Sequence, residues 1–121
     1  MTEIQVRRVY DDPTGSVATD GYRVYADRLW PRGESKEKFH YDLWAKEIAP
    51  STELREWYHA SPVERWNEFV KRYTAELEAN PNMPKFVSQI KEHPLVTLLY
   101  SSRDESHNNA DVLADYLRSV L

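Results

Sequence analysis

The sequence contains no cysteine. Disulfides, thiolate nucleophiles and zinc–thiolate centres are therefore excluded, and a reducing, cytoplasmic setting is the expectation. Glycine is nearly as scarce, with three residues in 121. A glycine-rich nucleotide cradle cannot be built from so few, and neither a GxGxxG fingerprint nor a Walker loop is present. No GxSxG elbow or SxxK pattern supports nucleophilic catalysis. Long apolar runs are missing too. Nothing approaches the roughly 18–20 residues of a membrane span. The opening MTEIQVRRVYDD has no apolar stretch behind its charges, so neither a signal peptide nor a membrane partner is expected. Positive charge is not in excess. The formal net charge of −4 disfavours a broad nucleic-acid surface but permits a local basic pocket.

What is present describes a globular chain, 40% hydrophobic and 12% aromatic. Its length suits a single domain spanning residues 1–121, able to bury about two-thirds of its unfolded surface. Alternation over residues 4–9 reads as a first strand and over residues 22–27 as a second. In the second, Tyr22, Val24 and Ala26 share one face, and Arg23, Tyr25 and Asp27 the other. Phe39, Leu43, Trp44 and Ile48 have the spacing of a short amphipathic helix over residues 36–48, ended by Pro50. Ser51 is placed to cap the next helix, which would bury Leu54, Trp57 and Tyr58. Ser61-Pro62-Val63-Glu64 reads as a capping box with proline at the first helical position. It opens a helix over residues 62–78 with Val63, Trp66, Phe69, Val70, Tyr73 and Leu77 inward. Trp44, Trp57 and Trp66 are read as core. A shorter helix over residues 84–92 turns Phe86, Val87 and Ile90 inward.

The run LVTLLY, residues 95–100, is almost wholly apolar and reads as a central strand covered on both faces. A polar loop, residues 101–109, leads from it into a last amphipathic helix with Ala110, Val112, Leu113, Tyr116, Leu117 and Val120 inward. The expected fold is α/β: a small, mostly parallel sheet of three to four strands covered by about five helices. A right-handed parallel crossover from residues 22–27 to residues 95–100 would set the loops after Asp27 and after Tyr100 at one sheet edge, where open α/β sheets bind ligands.

Those two loops carry the chemistry. Arg28 and Arg32 flank Trp30-Pro31, and guanidinium groups grip carboxylate or phosphate bidentately as lysine cannot. Trp30 offers a ring to a planar ligand or to Arg32. In the second loop, a helix start presents free N–H groups to an anion, and Asn108 or Asn109 is the expected cap. His107, with Asp104 or Asp27 beside it, could exchange protons with a ligand. Lys46 and Arg55 could add positive charge, although Glu47, Glu53 and Glu56 beside them fit an ordinary solvated face. Asp104, His107 and Asp111 lack a second histidine nearby, so no metal and no cofactor are expected.

Four blocks carry a resemblance: GYRVYADRLWPRG, DLWAKEIAPSTELREWY, RWNEFVKRYTAEL and VTLLYSSRDESHNNADVL. Together they resemble the YeaO-like family catalogued as domain of unknown function 488, over residues 4–117. The resemblance implies a small, soluble bacterial or archaeal α/β protein and implies no reaction. The leading expectation is an anion-binding crevice for a phosphate- or carboxylate-bearing small molecule. Arg28, Trp30, Arg32, Lys46, Arg55 and Asn108 would bind, and Asp27, Asp104 and His107 would move protons if catalysis occurs. The alternative is a non-catalytic module gripping an acidic peptide or nucleic acid, its Arg/Asp/Trp cluster partly structural. The oligomeric state is left open.

Overall fold

The computed structural model describes residues 1–16 and 19–121. Four strands, β1 (Glu3–Arg8), β2 (Tyr22–Tyr25), β3 (Leu43–Trp44) and β4 (Leu95–Tyr100), form one sheet in the order β1-β4-β2-β3. Every pairing is parallel, with Ile4 opposite Val96 and Tyr25 opposite Leu99. β4 is central, as its apolar run predicts, and all but its first residue is buried. Among the described residues there are four α-helices: α1 (Thr52–Ala60), α2 (Pro62–Ala79), α3 (Met83–Ile90) and α4 (Asn109–Val120).

The two faces of the sheet are covered differently. Ile4, Val24, Ala26, Val96, Leu98 and Tyr100 point to the face on which all four helices pack, through side chains such as Leu54, Phe69, Phe86 and Leu113. The period-2 alternation of β2 sends Tyr25 the other way, where it meets Val9, Leu99 and Phe39 under a rim of Trp30, Tyr41 and Trp44. Among the described residues none of the four α-helices supplies that second cluster. Trp44, Trp57 and Trp66, expected in the core, are half-buried along its margins.

Three expectations need correction. The helix predicted over residues 36–48 does not form, so four helices cover the sheet rather than five. The segment is extended at β3 and closes in a single 3-10 turn, Lys46–Ile48. Tertiary hydrogen bonds override its helical spacing. Arg23 Nε donates to the His40 carbonyl at 2.9 Å, and the Arg23 amide donates to Asp42 Oδ2 at 2.8 Å. Asp42 N and Ala45 N in turn donate to the Arg23 and Tyr25 carbonyls. The capping box at Ser61 is also absent, although Pro62 does open α2. α1 ends against this residue, and its amide closes α1 on the Tyr58 carbonyl. Ser61 is thereby held at φ −155°, and its side chain makes no capping bond. Val63 is 94% exposed rather than inward. Ser51, by contrast, caps α1 through Leu54 N as its position predicts.

Candidate functional site

The carboxyl ends of the strands meet at one edge, as the parallel order requires. Ser101, the first residue after β4, donates its amide (2.8 Å) and its hydroxyl (2.5 Å) to Asp27 Oδ2. Asn109 Nδ2 donates to the Ala26 carbonyl at 3.0 Å. Two loops some seventy residues apart are thus latched together. The edge opens into a crevice of about 550 Å³, a size that suits a small molecule.

Arginine dominates its wall. Arg8 comes from the end of β1, Arg28 and Arg32 from the loop after β2, Arg55 from α1 and Arg103 from the loop after β4. These are five of the chain's ten arginines. None of them pairs with a carboxylate among the described residues. The ion-paired arginines, Arg7, Arg23, Arg72 and Arg118, lie elsewhere. Two of the five are oriented by backbone carbonyls. Arg28 Nε and Nη2 donate to Pro50 O (3.1 Å) and Ala49 O (3.3 Å). Arg8 Nε donates to Ser102 O at 2.8 Å, with its guanidinium over the Tyr10 ring. Arg32, Arg55 and Arg103 make no side-chain hydrogen bond to the described residues.

Asp27 is the one acidic residue of the wall among the described residues. Oδ2 takes both Ser101 donors and lies 3.4 Å from the Tyr25 hydroxyl, while Oδ1 has no partner among the described residues. His59 sits one helical turn beyond Arg55 on α1. Removal of its ring from water and repulsion by Arg55 hold its pKa below the usual value, with Asp27 opposing. Tyr58 lines the crevice beside it, and burial, followed by the field of Asp104, raises its hydroxyl pKa.

The sequence-predicted residues are partly assembled. Asp27, Arg28, Trp30, Arg32, Arg55, His107 and Asn108 all border the crevice. Lys46 does not. Its ammonium lies 3.9 Å from the centre of the Trp44 ring, because the 3-10 turn replaces the expected helix. Asp104 also lies outside the wall. It is exposed and accepts the amides of Ser106 and His107 at 2.9 Å, which hold its carboxyl below the usual range. His107 Nδ1 is 3.6 Å from Asp104 Oδ2, and its ring meets Trp66 edge-on at 4.8 Å. The three proton-transfer candidates are therefore not gathered around one point. Asn108 is engaged as the cap of α4: it accepts from Asp111 N and donates to Asp111 Oδ2 and Asp104 O. Trp30 donates its indole N–H to the Glu34 carbonyl and packs on Phe39, so its polar edge is used within its own loop.

Sequence reasoning passed over Arg8, His59 and Arg103. Two had a signal. Arg8 closes a strand in a parallel sheet, and His59 stands four residues beyond Arg55, hence on the same helix face. Arg103 had none beyond its place in a polar loop.

Comparison with known proteins now bears on the chain. Residues 3–121 match the family described as "Inactive DUF488-N3 subclade". The chain is similar to the uncharacterized protein YeaO of Escherichia coli (strain K12), 45% identical over 117 residues, covering 97% of this chain and 98% of that one. It is also similar to the uncharacterized protein Rv3073c of Mycobacterium tuberculosis, 39% identical over 116 residues, covering 96% and 94% respectively. No solved structure matches it. An arginine-walled crevice at the carboxyl edge of a parallel sheet is thus carried by a chain that belongs to the DUF488 family, in the branch described as its inactive N3 subclade.

Proposed function

We propose that the protein binds a small phosphate- or carboxylate-bearing molecule in this crevice and does not transform it. The observation that carries the reading is the set of five arginines without carboxylate partners. Guanidinium groups held close together repel one another, and an anion relieves that repulsion while accepting charge-assisted hydrogen bonds. Arg8 and Arg28 are already fixed by backbone carbonyls, so little side-chain entropy is lost when a ligand arrives. The word "inactive" in the family description supports binding without turnover. So does the position of Asp104 outside the wall, which leaves His107 paired with a carboxylate that faces solvent. The volume favours a small molecule over an acidic peptide or a nucleic-acid end.

Calorimetric titration with sulfate at low ionic strength tests this. Saturable 1:1 binding is expected. Arg55→Ala removes one charge-assisted contact worth about 1.5–3 kcal/mol, so affinity falls roughly 10- to 100-fold. Because the Arg55 side chain makes no hydrogen bond or ion pair to the described residues, thermal stability barely changes. Absence of sulfate binding, or an Arg55→Ala variant that binds as well as the parent, would refute the reading.

A further inference from the structure

We infer that the anion held by this crevice also carries hydroxyl groups, which makes the ligand class a phosphorylated polyol such as a sugar phosphate. The inference rests on the anion-binding reading and deepens it.

Asp27 is the starting point. A carboxylate among arginines weakens their hold on any anion, since its charge opposes the ligand's. Its position is nonetheless built with care. Ser101 fixes Oδ2 through both amide and hydroxyl, so the carboxylate cannot swing across to an arginine. Oδ1 stays without a partner among the described residues, on a side chain that lines the cavity. A sulfate, or a phosphate monoester in its dianionic form, offers nothing to that oxygen, because it brings acceptors only. A ligand hydroxyl is a donor and would bond it.

Two neighbours fit the same ligand. The Tyr58 hydroxyl and the His59 ring line the crevice and make no hydrogen bond to the described residues. Each can donate and accept, as a hydroxyl does. Acceptor-only Asp27 and two-way Tyr58 and His59 thus stand beside donor-only arginines. The first group matches a row of hydroxyls and the second matches a phosphate. A dicarboxylate or a simple inorganic anion would use the arginines and leave the other three unmatched, and a site with unmatched polar groups discriminates against such a ligand.

The test compares phosphates that differ in hydroxyls. Affinities of the full-length protein are measured by calorimetry for methyl phosphate, glycerol 3-phosphate and ribose 5-phosphate at one salt concentration. The two hydroxyl-bearing compounds are expected to bind about 10- to 100-fold tighter than methyl phosphate, the effect of one hydrogen bond to a charged group. In Asp27→Asn that ratio is expected to shrink to within about threefold, since the amide keeps an oxygen for Ser101 but no longer presents a charged acceptor. If Asp27→Asn does not fold, the ratio in the parent protein decides alone. Equal affinity for all three phosphates would overturn the polyol assignment and leave anion binding standing. A ratio that survives in Asp27→Asn would also overturn it, because the hydroxyl would then be read elsewhere. Failure of every phosphate to bind would remove the underlying reading instead.

Discussion

Arg23 and Arg28 stand five residues apart in the same stretch and do opposite things. Arg23 is 2% exposed and forms an ion pair with Asp20 beneath the sheet, where Arg7 and Gln5 also donate to that carboxylate. It further donates to the carbonyls of Asp12 and His40. Removing either partner of such a buried pair strands the other charge, so Arg23 belongs to the fold. Arg28 emerges past the strand's end and faces the crevice. Alternation along β2 put Arg23 on the face opposite Val24 from sequence alone, and the Pro31 and Gly33 signals put Arg28 in the loop beyond. Neither signal says which guanidinium meets a carboxylate, because each arginine has an aspartate close by in the chain, Asp20 three residues before Arg23 and Asp27 directly before Arg28. His59 yields a prediction at this scale. Its lowered pKa keeps it neutral near pH 7, and a bound anion favours the imidazolium. Proton uptake and anion binding therefore reinforce each other. Sulfate affinity should rise as pH falls through the pKa of the ring in the ligand-bound protein toward the lower value of the free protein. Without ligand the sign reverses: the unfolded chain takes up the proton first, near about 6.5, so stability falls as pH drops from there toward the lower folded value. Calorimetry at several pH values checks the first effect, and His59→Gln should flatten it.

At the scale of elements, spacing alone identified the long pieces and misjudged a short one. α2 and β4 lie where periodicity set them, because eighteen residues of helix and six of apolar strand leave little room for alternatives. Residues 36–48 satisfy a helical pattern for a different reason. Phe39 and Trp44 are needed by the cluster on the sheet's second face, and Ile48 by the first. One segment serving two layers must be extended between them. The start of β2 depends on a feature of similar subtlety. Gly21 adopts φ +63°, and a Cβ there would sit 2.3 Å from the Leu95 carbonyl oxygen. Gly21→Ala is expected to cost at least about 1–3 kcal/mol from its backbone region alone, more with the clash at the head of β4. Urea denaturation followed by tryptophan fluorescence measures it.

Across the whole molecule, charge is unevenly shared. A chain of net charge −4 sets five arginines around one opening, so its acidic groups lie mostly elsewhere. An incoming anion is drawn to one place on an otherwise repelling surface, an effect that added salt screens. Net charge was legible in the sequence. The segregation was not, because it depends on three strand ends and one helix arriving together.

The sheet order has a temporal consequence. β4 separates β1 from β2, so neither early strand has its main partner until residue 95 and those after it exist. Before then the only strand pairing available among the described residues is the short one between β2 and β3, Val24 with Leu43 and Tyr25 with Trp44. A fragment ending at Pro94 should show no cooperative urea transition, because a pairing that short cannot repay the entropy of ordering its chain. On the ribosome, four-fifths of this polypeptide must wait unassembled for the strand that will lie at its centre.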